Sequence, residues 1–219
     1  MTTTRVLLIA PALSTALREA RFGEAAEAQA ADHADPDADD GLDPVGLRQA
    51  EAVRESFPRT SRLYVSPTRR CRTTARALGL DAAAVPLTGP APWAMGRWQG
   101  RTLDEVAAAE PESVAAWLAD PAAAPHGGES LLALLTRVGE WLDALPDASA
   151  GGGAGQDDPR GRVLAVAEPD VVRAATAHAL GAPPEAFWRI DVRPLSAVEL
   201  SGRGGRWNLL AGRPPHTGS

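Results

Sequence analysis

Short apolar segments alternate with helical segments along this chain of 219 residues, and this alternation constrains its fold more than any other feature. Residues 4–10, 62–66 and 163–167 are predicted strands, because each is a short apolar run typical of strands buried inside a sheet. Helices are predicted to begin at Asp43-Pro44 and at Gly127 and to cover 69–78, 102–110, 112–119 and 169–180. Strands that alternate with helices predict an α/β fold with a mainly parallel sheet.

Edge strands, loops and a tail account for the remaining segments. Three edge strands are predicted near the C-terminus, at 189–193, 196–201 and 206–210. A loop is expected at 82–101, which shows no clear periodicity, and an acidic loop at 24–42, which carries seven acids and no base. Residues 147–161 form a predicted flexible glycine-rich loop, and residues 213–219 a disordered tail. These boundaries predict a single domain over residues 1–212.

The composition excludes several classes of protein. A single cysteine, Cys71, leaves no internal disulfide framework and no cysteine-rich zinc site. The formal charge of −6 argues against a nucleic-acid partner, and no run approaches the roughly 20 apolar residues of a membrane span. The apolar residues 6–10 are a short run that ends at Pro11, which favours a strand over a secretory signal. We therefore expect a cytoplasmic protein with no cofactor, no metal and no membrane partner, and the absence of lysine indicates a bacterial, GC-rich genome.

The predicted topology brings three loops together. Ligands of mainly parallel sheets gather at the carboxyl ends of the strands. Residues 10–17, 66–70 and 168–170 each follow one of the three central strands. We therefore expect these three segments to line one crevice, which is the place to look for candidate site residues.

Five sequence blocks resemble those of one known family. Residues 66–75, SPTRRCRTTA, are similar to the S-P-x-x-R-A-x-x-T-A block of the histidine phosphatase superfamily, also called phosphoglycerate mutase-like. Four weaker blocks follow the same order, at 43–50 (DPVGLRQA), 96–100 (GRWQG), 127–130 (GGES) and 187–190 (FWRI). The resemblance extends over about residues 4–201. It implies a three-layer α/β/α sandwich of the phosphoglycerate mutase type and a phosphatase or mutase site.

The chain departs from this resemblance at the catalytic positions. Members of the family end their first strand with R-H-G, and the resemblance places Ala10 at that phosphate-binding arginine and Pro11 at the nucleophilic histidine. Glu168 stands where the second histidine is expected. Pro92 stands where a proton-donating glutamate is expected. Only Arg70, at the position of a second phosphate-binding arginine, keeps the family's residue type.

These replacements remove the groups that the chemistry needs. Phosphoryl transfer to histidine requires an imidazole in line with phosphorus, cationic groups around the equatorial oxygens and an acid for the leaving group. Removing a nucleophile alone can cost about 10⁶ in rate. A carboxylate ~4 Å from a phosphate charge adds about 4 kcal/mol of repulsion at an effective dielectric near 20. The sequence therefore predicts a pseudophosphatase without catalytic residues, which binds a small molecule or a protein partner.

Arg70, Glu168 and Ser14 are predicted to form a vestigial phosphate pocket. Arg70 and Glu168 should face each other, and we expect a salt bridge in which the carboxylate replaces phosphate. Two separate, solvated charges at the rim are the alternative. Ser14 has no histidine or lysine base beside it, so its hydroxyl is expected to cap or turn the chain.

In two alternative hypotheses the protein is an active enzyme. One is an active phosphoric monoester hydrolase or mutase whose site is rearranged around Arg70 and His126, since His126 lies in a loop within reach of the rim of the crevice. The other is a different chemistry that uses Glu168 as general base. The sequence leaves these alternatives open, and it leaves open whether the protein is a homodimer.

The other candidate side chains have simpler interpretations. His33 and His216 lie in the acidic segment and in the tail, and His178 lies late in a predicted helix, where it is expected to pack. Trp93 and Trp98 lie near the predicted crevice. They are expected either to pack in the core or to roof the crevice.

Overall fold

One sheet organises the residues that the structure describes. The structure is a computed structural model and describes residues 3–23, 41–58, 62–80, 86–146 and 162–211. The strands within these ranges are β1 (Thr4–Ile9), β2 (Arg62–Val65), β3 (Pro86–Thr88), β4 (Arg162–Val166), β5 (Ala197–Arg203) and β6 (Arg206–Leu210). Their order across the sheet is β3-β2-β4-β1-β5-β6. The first four of these are parallel to one another, whereas β5 and β6 are antiparallel to their neighbours, so the predicted mainly parallel sheet is confirmed.

Five of the seven described helices begin after a residue whose side chain caps them. The described helices are α1 (Thr15–Arg18), α2 (Pro44–Ala52), α3 (Arg69–Ala77), α4 (Leu103–Ala109), α5 (Pro111–Ala119), α6 (Leu131–Asp143) and α7 (Pro169–Ala179). Asp43 caps α2 by accepting a hydrogen bond of 2.7 Å from the Val45 amide. Pro44 occupies the first helical position, where its missing N–H leaves no bond unmade. The sequence signal at Asp43-Pro44 therefore predicts the start of α2 correctly.

Helices cover both faces of the sheet. Val6 and Leu8 of β1 are fully buried in one hydrophobic cluster, together with side chains of α6 and α7. Ile9 points to the opposite face and packs in a second cluster, with side chains of α2 and α3. Full burial of one such side chain contributes about 1.5–3 kcal/mol, so both faces are held strongly. This arrangement confirms the three-layer α/β/α sandwich.

Three predicted elements need correction. The loop predicted at 82–101 contains β3, which three residues beginning with a proline are too short to signal by periodicity. The strand predicted at 189–193 is absent from the described sheet, because a 3₁₀ turn ends at Arg189 and the Ile190 carbonyl accepts a hydrogen bond of 2.8 Å from Arg173. The helix predicted to begin at Gly127 begins at Leu131 and is capped by Ser130.

Some predictions fall outside the described residues. They concern the loop at 147–161, the tail at 213–219 and, within the acidic segment, every residue except Gly41 and Leu42. His33 and His216 lie outside the described part of the chain as well, and the single domain over 1–212 stays a prediction. Among the described helices, none is both long enough and apolar enough to cross a membrane.

Candidate functional site

The three segments predicted to line one crevice meet at the carboxyl edge of the sheet. Ser14 follows β1, Thr68 and Arg70 follow β2, and Glu168 follows β4. Arg70 lies between the other segments, because its Nη1 is 3.4 Å from Ser14 Oγ and its guanidinium contacts Glu168. The strand order therefore assembles the site as the sequence predicts.

Arg70 and Glu168 form a buried, bidentate ion pair. Arg70 Nε donates to Glu168 Oε1 at 2.8 Å, and Arg70 Nη2 donates to Oε2. The two side chains are only 12% and 1% exposed. A guanidinium offers this paired geometry to carboxylates and phosphates alike. The predicted salt bridge is confirmed, and the alternative of two solvated charges is wrong.

Two neighbouring hydroxyls serve both the site and the helices around it. Thr68 Oγ1 donates to Glu168 Oε1 at 2.6 Å and accepts a hydrogen bond of 3.4 Å from the Cys71 amide, so one hydroxyl caps α3 and holds the carboxylate. Ser14 Oγ, beside Arg70, accepts a hydrogen bond of 3.2 Å from the Leu17 amide. Ser14 thus caps α1, as predicted.

Burial and mutual attraction shift the pKa values of the charged groups. Burial opposes the charge on Arg70, but Glu168 outweighs it and raises the pKa of the guanidinium. Burial, followed by Glu168, raises the pKa of the Cys71 thiol well above its ordinary value, which keeps the thiol protonated and unreactive. Burial and Glu168 also raise the pKa of Asp170 to about 6. The site therefore combines one cation with two carboxyl groups.

Little space remains beside the ion pair. The adjoining cavity has a volume of about 40 Å³. It is lined by Gly23, Thr68, Arg70, Pro92, Trp93, Gln99 and Glu168. A water molecule occupies about 30 Å³ in the liquid, whereas pockets for small ligands have volumes of about 300–1,000 Å³. The cavity is large enough for a water molecule and too small for a phosphate ester.

Comparison with known proteins identifies the family. The sequence model of the histidine phosphatase superfamily (branch 1) matches residues 20–213. This chain belongs to the histidine phosphatase superfamily. A glucosyl-3-phosphoglycerate phosphatase of Mycolicibacterium vanbaalenii is 35% identical to it over 181 residues, which are 80% of this chain and 74% of that protein.

Solved histidine phosphatase structures share the same fold. A mycobacterial glucosyl-3-phosphoglycerate phosphatase in complex with VO3 aligns with a TM-score of 0.74 and 25% identity, covering 94% of this chain and 97% of the other. A putative α-ribazole-5'-P phosphatase from Escherichia coli aligns with a TM-score of 0.73 and 21% identity, covering 94% of each chain. The second likeness concerns the fold alone.

Ala10 and Pro11, which the resemblance aligns with catalytic positions of the family, lie just after the end of β1. The match to the family begins at residue 20, after Ala10 and Pro11. Both residues are buried. The Ala10 amide donates to the Ser196 carbonyl at 3.0 Å, and the Pro11 carbonyl accepts a hydrogen bond of 3.3 Å from the Leu195 amide. Neither side chain carries a nucleophile or a hydrogen-bond donor, so only their backbone groups bond here.

Pro92 and Trp93 form one wall of the cavity. The Pro92 carbonyl accepts a hydrogen bond of 3.0 Å from Arg137 Nη2, and Trp93 Nε1 donates to the Glu129 carbonyl at 2.7 Å. The Trp93 amide donates to Asp170 Oδ2 at 2.7 Å. Trp93 therefore both packs and lines the cavity, while Trp98 is fully buried.

His126 is buried and is not among the residues that line the cavity beside Arg70. Its Nδ1 accepts a hydrogen bond of 3.0 Å from the Gly128 amide, and its ring centroid lies 5.0 Å from that of Trp98. Burial, followed by the charge of Arg97, lowers its pKa, so the imidazole is neutral at neutral pH. The His126 carbonyl accepts a hydrogen bond of 3.0 Å from the Arg97 amide, a contact between two loops that the sequence alone does not reveal.

His178 takes part in a separate carboxylate cluster around Asp143, the last residue of α6. Asp143 Oδ1 accepts hydrogen bonds from the Gly205 amide at 2.8 Å and from Trp207 Nε1 at 2.7 Å, and its Oδ2 lies 3.1 Å from His178 Nε2. Burial opposes the charge of Asp143, but these donors outweigh it and lower its pKa. His178 is thus a structural residue, which agrees with its prediction as a packing residue.

Sequence reasoning does not single out Thr68 or Asp170. Thr68 lies within the block 66–75 and Asp170 within the segment 168–170, so their positions alone place them near the predicted crevice. Their hydrogen-bond partners, Glu168 and Trp93, are distant in sequence and could not be predicted. Among the described residues, no group of three or more histidine, cysteine, aspartate or glutamate side chains is arranged to hold a metal ion.

Proposed function

We propose that this protein is a pseudophosphatase, which binds a small molecule or a protein partner without hydrolysing phosphate esters. The observation that carries the proposal is the position of the Glu168 carboxylate. It occupies the paired donors of Arg70, which a phosphate would otherwise use. The protein thus holds an anion of its own where a substrate anion is expected to bind.

Energetics support this proposal. A phosphate can reach Arg70 only by breaking a buried ion pair, and exposing one partner of such a pair costs about 3–5 kcal/mol. The displaced Glu168 carboxylate would then repel the phosphate. Pro11, at the position of the nucleophile, offers no atom that can accept a phosphoryl group. Binding and chemistry are therefore both disfavoured.

We also propose a cytoplasmic location. The chain has a single, buried cysteine, Cys71, so its fold uses no internal disulfide, the bond typical of proteins in oxidising compartments.

An active phosphatase is the second candidate, and the relatives favour it. The protein from Mycolicibacterium vanbaalenii is described as a phosphatase and is 35% identical over 80% of this chain. In this candidate a rearranged site uses Arg70 with His126 as nucleophile. The imidazole would have to give up its hydrogen bond to Gly128 and its packing against Trp98.

A phosphate-release assay distinguishes the two candidates. Purified protein is incubated with p-nitrophenyl phosphate, a panel of phosphosugars and glucosyl-3-phosphoglycerate, beside the single variants Arg70→Ala and His126→Gln. We expect the wild type to release no more phosphate than the two variants. Equal release from all three proteins indicates a contaminating phosphatase and supports the proposal. Turnover by the wild type that either substitution abolishes would overturn it.

A gain-of-function variant gives a matched control. The double variant Pro11→His/Glu168→His returns imidazole to both positions and removes the carboxylate from Arg70. Melting curves of every variant confirm that loss of turnover does not reflect loss of folding. Vanadate, added as a phosphate mimic, is expected to raise the melting temperature of the double variant but not that of the wild type.

A further inference from the structure

Residues 91–95, the wall loop, form one wall of the cavity and are attached to two helices in different ways. On the α6 side, Arg137 donates to the carbonyls of Ala91 and Pro92 at 2.8 and 3.0 Å, and the indole of Trp93 donates to the Glu129 carbonyl. On the α7 side, the described hydrogen bond is the one from the Trp93 amide to Asp170 Oδ2. One attachment of the wall loop thus depends on a carboxyl group.

Asp170 is placed among groups that oppose one another. Glu168, at the start of α7, destabilises its charge, while Arg70, on α3, stabilises it. Its Oδ1 accepts a hydrogen bond of 2.8 Å from the Val171 amide, and Oδ2 accepts the bond from the wall loop. The wall loop itself presents a neutral amide, from Trp93, to this carboxyl group. The balance between these groups decides whether Asp170 is charged.

We propose that Asp170 is a proton-controlled latch, which holds the wall loop against α7 as a carboxylate and loosens it as a carboxylic acid. A hydrogen bond to a carboxylate is roughly twice as strong as one to a neutral group. Protonation therefore weakens the attachment to α7 and leaves the attachments to α6 unchanged. The cavity beside Arg70 widens as the wall loop moves. The latch operates whether the crevice is catalytic or only binds.

The latch is expected to act in weakly acidic solution. Burial and Glu168 bring the pKa of Asp170 to about 6, so its carboxyl group changes charge near that pH. Protonation of Asp170 also removes the repulsion between its carboxylate and that of Glu168. The Arg70–Glu168 pair therefore persists while the wall loop loosens.

Nuclear magnetic resonance tests the latch directly. The carboxyl carbon of Asp170 is followed through a pH titration, and hydrogen exchange of the Trp93 amide is measured at each pH and corrected for its intrinsic pH dependence. We expect the carboxyl group to titrate near pH 6 and the protection of the Trp93 amide to fall about fivefold on protonation. In Asp170→Asn the protection should be low at every pH.

A matched variant controls for general effects of removing a carboxylate. Asp143→Asn removes a carboxylate that also accepts a backbone amide, and it should keep the pH step at Trp93. The latch is refuted if Asp170 titrates at its ordinary value near 4, or if the protection of Trp93 does not change with pH. It is also refuted if Asp170→Asn shows the same pH step. The first two measurements use only the wild type and do not involve phosphatase activity.

Discussion

Helix α7 has a carboxylate cluster at each end, and the two clusters differ in how their charge is balanced. At the C-terminal end, Asp143 receives a backbone amide, an indole and His178, and these donors lower its pKa. At the N-terminal end, Glu168 and Asp170 share Arg70, and the pKa of Asp170 is raised. The Asp143 cluster has enough hydrogen-bond donors for its charge and links α6 to α7 and to the hairpin of β5 and β6. The cluster of Glu168 and Asp170 has two carboxyl groups for one cation, and such an imbalance is typical of functional sites.

Removing Glu168 should have the largest effect on the second cluster. We expect Glu168→Ala to lower the free energy of unfolding by about 3–5 kcal/mol, because Arg70 is left buried without its main counter-ion. Urea denaturation measures this loss. Glu168→Gln is the control, since it keeps an acceptor for Thr68 and should lose less. Equal stability of Glu168→Ala and the wild type would contradict the buried ion pair.

The two clusters should respond to pH in opposite directions. The pKa of Asp170 is about 6 in the folded protein, above its ordinary value of 3.8, so the folded state binds the proton more tightly. Relative to Asp170→Asn, the wild type should therefore gain up to about 3 kcal/mol as the pH falls from 6 to 4, and lose it again as the pH rises. Urea denaturation of both proteins across this range checks the slope. A flat difference would show that Asp170 has an ordinary pKa.

Asp143→Ala should cost about 2 kcal/mol at neutral pH, because it leaves the donors of Gly205 and Trp207 without their acceptor. The side chain of Asp143 is 31% exposed, so water replaces part of the loss. Its pKa is lowered, and this contribution should disappear only as the pH falls below its ordinary value of 3.8. Thermal melts at neutral and strongly acidic pH test this. A constant cost at both would contradict the assigned role of the charge.

Thr68→Val should have the smallest effect, about 1 kcal/mol. The substitution removes both the cap of α3 and the hydrogen bond to Glu168 while keeping the shape of the side chain. Thr68→Ser keeps the hydroxyl and serves as its control. Chemical denaturation of the pair isolates the hydroxyl, and equal stability of the two variants would show that it contributes nothing.

The central sheet and the place of the site could be predicted because they depend on local patterns. Continuous apolar runs mark the parallel strands, and the loops after them must meet at one edge. The ion pair was predictable as well, since the resemblance places Arg70 and Glu168 at neighbouring positions in one pocket. The strand β3 could not be predicted, because three residues are too few to show a periodic pattern.

The contacts that tune the site could not be predicted in the same way. The bond between Trp93 and Asp170 joins residues 77 positions apart and depends on the path of an irregular loop. The burial of His126 depends on the close approach of its loop to Gly96, where an added Cβ would lie 2.3 Å from the His126 carbonyl oxygen. Such approaches follow from packing of the whole chain, which no local pattern encodes.

In the proposed pseudophosphatase, the bidentate pair between Arg70 and Glu168 would also make catalytic residues hard to regain by single substitutions. Replacing Glu168 alone by histidine would leave a buried cation unpaired before any activity is gained. Replacing Pro11 alone would supply an imidazole to a pocket that still repels phosphate. Natural proteins are stable by only about 5–15 kcal/mol, so the first of these substitutions would remove a large part of that stability before any activity could be gained. The ion pair would therefore oppose each single substitution separately.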